Sequence, residues 1–242
     1  MNRIIGRKPV LEALQTGKTI DRVIMLNTLS GPFEKEIRAL CKSREIPLIR
    51  VPKPKIDREV KGNHQGIYGI ASLIQYTELE DLVPFLYETG KDPVLILLDG
   101  LKDVRNVGSI ARSAEVFGAD GIVIPLKKMA PINEIAVKTS AGALLNIPVC
   151  RHKNLVDAIR YLKQCGFTIY GAMLDTKNVI WDFAFEGPVA LVLGSEEMGM
   201  HRDVRETIDR PFRIPQKGRT QSLNVSIATG IVLYEIYKQK QG

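Results

Sequence analysis

Three stretches of this sequence hold side chains whose types and spacing can do chemistry. In DVRNVGSIARSAE, Arg112 lies four residues after Gly108 and three after Ser109, so at helical spacing its guanidinium stands over a face of small residues. From there a planar fork of donors reaches an anionic group, or else a neighbouring carboxylate takes it as a surface ion pair. Asn106, at the head of the same stretch, is of the type that caps helices. In ALVLGSEEMGM an apolar run passes straight into Gly194, Ser195 and Glu196, a pattern suited to a backbone that must approach a ligand closely. In IPQKGRTQSLNVS, a loop with Gln216, Lys217, Arg219, Thr220 and Gln221 leads into Ser222, Asn224 and Ser226. There a helix start offers hydroxyls, amides and free N–H groups together, with Ser222 as an N-cap in the plainest account. Neither G-x-G-x-x-G nor P-loop spacing occurs, which sets nicotinamide chemistry and phosphoryl transfer aside.

Elements must hold these loops in place, and the apolar pattern supplies them. From Pro93 strand-like runs alternate with helices: PVLILLD, a helix from Asn106, GIVIP, a helix near Ile132 to Ala143, IPVC, a helix from Leu155, FTIYGAM, PVALVLG, RPFRIP and a final helix. Continuous apolar strands between helices predict an α/β fold with a parallel sheet covered on both faces. Ligands of such sheets sit at the carboxyl ends of the strands, where the three stretches fall. Residues 1–75 read as a smaller α/β domain with a helix in GRKPVLEALQTG, a strand in DRVIML, a helix in GPFEKEIRALCKSRE and strands in IPLIRV and GIYGIASLI, the last two joined by the polar turn KGNHQG. The acidic segment 76–92 reads as a linker with a helix, and 93–242 as the second domain.

The final helix is apolar on two stripes, Ile227, Ile231 and Tyr234 on one and Val225, Val232 and Ile236 on the other. One sheet face covers one stripe, so the second predicts a partner subunit or, within one chain, cover by the helix in LEDLVPFLYE.

Charge divides unevenly. Residues 1–75 hold 14 lysines and arginines against 7 acids, and residues 76–242 hold 20 against 20. The excess in the first third is the footprint of a polyanion-binding surface or of a well-solvated basic face. Three cysteines and three histidines without CxxC or HxxxH spacing argue against a disulfide framework and a metal site, and fit a reducing cytoplasm. No run is long enough to span a bilayer, and the N-terminus has no signal-peptide pattern.

Taken in order, DVRNVGSIARSAE, LVLGSEEMGM and IPQKGRTQSLNVSIATGIVLYE resemble the three motifs of the SpoU (TrmH-like) branch of SPOUT RNA 2'-O-ribose methyltransferases. IIGRKPVLEAL and HQGIYGIAS resemble the ribosomal-protein-L30e-like RNA-binding domain attached to members that modify 23S ribosomal RNA. The resemblance implies a deep trefoil knot at the chain end, S-adenosyl-L-methionine as cofactor, a homodimer paired through the knotted ends, and RNA rather than DNA or a membrane as partner. It implies 2'-O-methylation of a nucleotide, guanosine by this likeness, in 23S ribosomal RNA. A tRNA methyltransferase and a non-catalytic RNA-binding protein are the competing readings. By position it implies catalytic roles for Arg112, Asn106, Glu196, Ser222 and Asn224, with Glu196 orienting either Arg112 or its loop. Cofactor contacts are implied at Thr139, Ser140, Gly194, Ile214, Ser222 and Leu223.

Overall fold

The computed structural model describes residues 3–196, 198–218 and 222–241. Arg219, Thr220 and Gln221 of the third stretch lie outside the described residues. The chain divides into two units, residues 1–75 and 76–242.

The first unit runs β1 (Arg3–Ile5), α1 (Arg7–Gln15), β2 (Ile20–Leu26), α2 (Pro32–Ser43), β3 (Leu48–Val51), α3 (Lys53–Glu59) and β4 (Ile67–Ala71), with sheet order β1-β4-β2-β3. Its core joins Val10 and Leu14 of α1, Val23 and Met25 of β2, and Ile37 and Cys41 of α2. Two elements were not expected. Strand β1 is three residues long, and α3 fills what reads as a plain connection, its Ile56 buried while Lys53, Lys55 and Asp57 are exposed. Buried Glu34 accepts from Arg38 and Arg50, and the Arg38 bond, with help from Arg50 and against the effect of burial, holds its carboxyl below the usual range. Part of this unit's positive charge is therefore engaged in its own structure.

The second unit runs β5 (Tyr76–Thr77), α4 (Leu79–Glu88), β6 (Val94–Asp99), α5 (Val104–Val116), β7 (Gly121–Pro125), α6 (Glu134–Thr139), β8 (Val149–His152), α7 (Leu155–Gln164), β9 (Thr168–Ala172), β10 (Val189–Gly194), α8 (Arg202–Arg205), β11 (Arg210–Phe212) and α9 (Val225–Gln241). The sheet is parallel throughout in the order β11-β9-β10-β6-β7-β8-β5. All six residues of β6 are buried. A strand covered on both faces has no use for polar alternation, and each aliphatic side chain there contributes about 1.5–3 kcal/mol of burial.

Residues 76–92 do not form a linker: β5 adds an edge strand beside β8, and α4 buries Leu79, Leu82, Val83 and Leu86 in the core of the second unit. That placement also removes α4 as a cover for α9. Helix α9 buries Val225, Val232, Leu233 and Ile236, whereas Ile227 is 56% exposed and Tyr234 55%. The helix read as apolar on two stripes leaves one of them, Ile227, Ile231 and Tyr234, uncovered in a single chain.

Among the described residues no helix is long and apolar enough to cross a membrane, and no group of three His, Cys, Asp or Glu is placed to hold a metal ion.

Candidate active site

Strands β9, β10 and β11 end beside one another, and the chain leaving them encloses a cleft of about 410 Å³, within the range of small-ligand sites. Its walls come from Ala172–Asp175 after β9, Gly194–Glu196 and Met198–Met200 after β10, Arg213, Ile214 and Gln216 after β11, and Ser222, Leu223, Val225 and Ala228 at the start of α9.

The loop after β10 returns on itself. Ser195 N donates to Gly199 O at 3.0 Å and Gly199 N to Ser195 O at 2.8 Å, with Gly199 at φ +66°. A Cβ on Gly194 would lie 2.2 Å from the Gly199 carbonyl carbon, so the strand can end there only in glycine. The glycine is demanded by the loop's own return, which brings bare backbone to the cleft wall.

Glu196 stands where the three stretches meet. Its Oε1 accepts from Asn106 Nδ2 at 3.1 Å, from Asn224 Nδ2 and from Val225 N at 3.4 Å, and Asn224 Nδ2 also donates to Asn106 Oδ1 at 3.1 Å. One carboxylate thus ties the head of α5 to the head of α9. Glu196 is bonded to the neighbouring loops and makes no hydrogen bond or ion pair with Arg112.

Asn106 is not a cap. Asp103 caps α5 by accepting from Arg105 N at 2.8 Å, while Asn106 lies within the first turn, buried, and its amide is used across the fold. Ser222 is not a cap either. It lines the cleft with an exposed side chain, and Asn224 Oδ1 accepts from Ser226 N at 2.9 Å and Ser226 Oγ at 2.6 Å to start α9.

Gly194, Ile214, Ser222 and Leu223 line the cleft, as expected of cofactor contacts; Thr139 and Ser140 do not. They close α6 against α5: a Cβ on Gly108 would fall 2.5 Å from Ala136 O and 2.8 Å from Thr139 Cβ. Ser140 is 1% exposed, its hydroxyl donating to Val137 O at 2.8 Å and accepting from Leu144 N at 3.3 Å. Both residues support the helix that carries Asn106 and Arg112, because Thr139 Cβ and Ser140 N are what α5 approaches closely at Gly108. Arg112 itself is exposed, makes no hydrogen bond or ion pair among the described residues, and is not part of the cleft wall.

Sequence reasoning passed over the loop after β9. Met173, Leu174 and Asp175 line the cleft, and Asp175 pairs with Arg205 of α8, also on the wall. The signal was present, since FTIYGAM reads as a strand and its carboxyl end is a ligand position. It also missed Asp99, buried at the end of β6, which accepts from His201 N at 2.6 Å and lies 2.8 Å from His201 Nδ1. This pair anchors the far end of the loop after β10 to the neighbouring strand.

A parallel α/β sheet whose carboxyl edge holds a preformed cleft, with one carboxylate joining amides from two other stretches beside it, places a small-ligand site where such sheets carry theirs. Residues 93–234 match the SpoU rRNA methylase family, and residues 3–77 match RNA 2'-O ribose methyltransferase substrate binding. The chain belongs to the SpoU rRNA methylase family and is an RNA methyltransferase. It is 35% identical to the putative TrmH family tRNA/rRNA methyltransferase YacO of Bacillus subtilis, over 98% of this chain and 95% of that one. A putative TrmH family tRNA/rRNA methyltransferase of Staphylococcus haemolyticus is 32% identical, over 98% and 95%. Among solved structures, the AdoMet-bound rRNA methyltransferase from Sinorhizobium meliloti matches with TM-score 0.62 at 27% identity, covering 98% of this chain and 86% of that one. The A. aeolicus TrmH/SpoU tRNA modifying enzyme matches with TM-score 0.57 at 28% identity, covering 67% of this chain and 84% of that one.

Proposed function

We propose that this protein methylates the ribose 2'-hydroxyl of a guanosine in 23S ribosomal RNA, as enzymes of the RlmB type do, using S-adenosyl-L-methionine. The observation that carries the reading is the junction at Glu196, where the heads of α5 and α9 and the loop after β10 are locked together beside the cleft. A ribosomal substrate is favoured by coverage: the S. meliloti rRNA enzyme matches 98% of this chain, the A. aeolicus tRNA enzyme 67%.

The cleft suits the cofactor. Its walls combine the apolar side chains of Leu193, Ile214, Leu223 and Val225 with bare backbone at Gly194 and Gly199, a mixture fitted to a nucleoside with a charged tail. Bound there, S-adenosyl-L-methionine supplies an electrophilic methyl group on a sulfonium. This chain's residues then have to place a ribose hydroxyl in line, and placement yields much of the acceleration in such transfers. A guanidinium is a permanent cation, so Arg112 serves as a donor fork, holding an RNA phosphate and stabilising the alkoxide as it develops.

The same reading includes the knot and the dimer. The segment after β9 is bonded along β11, through Met173 N to Phe212 O at 2.8 Å and Ile180 N to Arg213 O at 3.1 Å, an arrangement that suits a chain end drawn through a loop. The exposed stripe Ile227, Ile231, Tyr234 and Tyr237 of α9 suits a two-fold partner. Light scattering at low micromolar concentration is expected to give twice the 27.0 kDa chain mass and a dissociated Ile231→Asp variant; a stable, active 27 kDa species rejects the dimer.

The test of function is methyl transfer from radiolabelled cofactor to 23S ribosomal RNA fragments and to tRNA, followed by nuclease digestion. Label is expected in 2'-O-methylguanosine from the ribosomal fragments. Label in tRNA alone selects the tRNA reading, and binding of RNA without label selects a non-catalytic one.

A further inference from the structure

The even balance of charge over residues 76–242 conceals a segregation. At the carboxyl ends of β6, β7 and β8 almost every charged side chain is a cation: Lys102 and Arg105 after β6, Lys127 and Lys128 after β7, Arg151 at the end of β8 and Lys153 beyond it. Residues 126–133 and 151–154 contain no acid. Of the acids there, Asp99 at the end of β6 is engaged by His201, Asp103 caps α5, Glu134 at the head of α6 has a partner of its own, and Glu80 of α4, 3.8 Å from His152, marks the far end.

These loops lie edge to edge. Ala130 N donates to Leu101 O at 2.7 Å and Leu126 N to His152 O at 2.9 Å, continuing the register that sets Leu97 beside Val123 and Pro125 beside His152. Adjacent strands are about 4.8 Å apart, so the cations are spread over roughly 10 Å or more. That length spans more than one phosphate of a nucleic-acid strand, whose charges follow at roughly 3.4 Å along the axis of a stacked helix. Arg105, Lys127, Lys128 and Lys153 are exposed and have no side-chain partner among the described residues. Arg105 also precedes Arg112 by seven residues, two helical turns and about 10 Å along the same face of α5. On the other half of the edge, Arg205 is paired with Asp175 and Arg202 with Glu206.

We propose that the carboxyl edge of β6, β7 and β8 is an RNA-backbone contact surface of the methyltransferase unit itself, carrying the strand that flanks the nucleotide presented to Arg112. The inference rests on the RNA methyl-transfer reading and extends it: residues 1–75 are not the whole source of RNA affinity. Three unpaired cations on exposed loops and a fourth, Arg105, in the first turn of α5 favour a polyanion of regular charge spacing, and the alignment of Arg105 with Arg112 favours the substrate strand.

The full-length chain with Arg105→Ala, Lys127→Ala, Lys128→Ala and Lys153→Ala combined tests it, with Arg160→Ala on α7 as a control outside the edge. Anisotropy of fluorescein-labelled oligouridine is titrated at increasing KCl. Each phosphate contact adds about 0.7 to the slope of log affinity against log salt for a single strand, so the fourfold variant is expected to be shallower by about two to three while the control keeps the wild-type slope. In methylation assays KM for RNA rises and kcat at saturating RNA holds, and calorimetry gives an unchanged Kd for S-adenosyl-L-methionine. A fourfold variant with the wild-type slope overturns this surface and leaves the function standing. A wild-type chain without salt-sensitive RNA binding overturns the RNA reading and this surface with it.

Discussion

The two halves of one sheet edge treat their polar side chains in opposite ways. Around the cleft the acidic side chains are each engaged by a neighbour: Glu196 by Asn106, Asn224 and Val225, Asp99 by His201, Asp175 by Arg205. Across β6, β7 and β8 four cations are left open, Arg105, Lys127, Lys128 and Lys153 being unpaired among the described residues, as is Arg112 further along α5. A small ligand that must be held in one pose needs walls whose hydrogen bonds are already made, since nothing then has to reorganise when it binds. A flexible polyanion needs charge within reach but tolerates variation in its place, and long cationic side chains give that. On the proposed function the difference marks a division of labour within a single unit, geometry on one side and attraction on the other, and asks both of Arg112.

Removing Arg112 breaks the comparison most sharply. Arg112→Ala is expected to lower kcat by about 100- to 1,000-fold, the size of a lost transition-state donor. It should leave the melting temperature and cofactor Kd near wild type, because the side chain has no partner within the described residues to lose. Arg112→Lys should recover little, since a point charge does not reproduce a planar fork. Single-turnover methylation with RNA in excess reads this directly, and turnover near wild type in Arg112→Ala removes the residue from the reaction.

The cationic half was the less legible of the two. The alternation of strands and helices from Pro93 onward was readable because a buried parallel strand is apolar at every position, as β6 is. Strand ends then pointed to the loops, and Gly194, Ile214, Ser222 and Leu223 fell in the cleft. Short or half-buried elements were not readable: β1 and β5 have three and two residues, and α3 offers one buried side chain to set a period. Contacts across the fold were hidden for another reason. Asn106 meets Glu196 from 90 positions away and Asn224 from 118, so its residue type suggested the local role of a cap when a distant partner had claimed the amide. Thr139 and Ser140 were placed by likeness alone, without a pattern of their own, and they proved to be packing for Gly108. The charge strip stayed invisible because counting along the chain averages Lys127 and Lys128 with acids that the fold sends elsewhere.

Glu196 sharpens the comparison with a smaller expected effect, because two substitutions separate its geometry from its charge. All three donors meet the same oxygen, Oε1. Glu196→Ala removes that acceptor and leaves the Asn106 amide, buried at the head of α5, with only its bond from Asn224, at a cost of about 1–3 kcal/mol for an unsatisfied buried donor. Since the cleft wall includes Glu196 and the start of α9, part of that loss should appear as a cofactor Kd raised by about tenfold, equivalent to about 1.4 kcal/mol. Glu196→Gln keeps an oxygen in the same place and the same side-chain shape while discarding the negative charge. If the residue works as a fastener, the glutamine variant should bind cofactor and turn over within a few-fold of wild type. If its charge serves the chemistry, by steadying Arg112 or taking the ribose proton, the glutamine variant should keep the cofactor Kd and lose kcat. Calorimetry for the Kd and a pH series of kcat for the two variants decide it, and a glutamine variant as slow as Arg112→Ala would show that the cleft half too depends on charge.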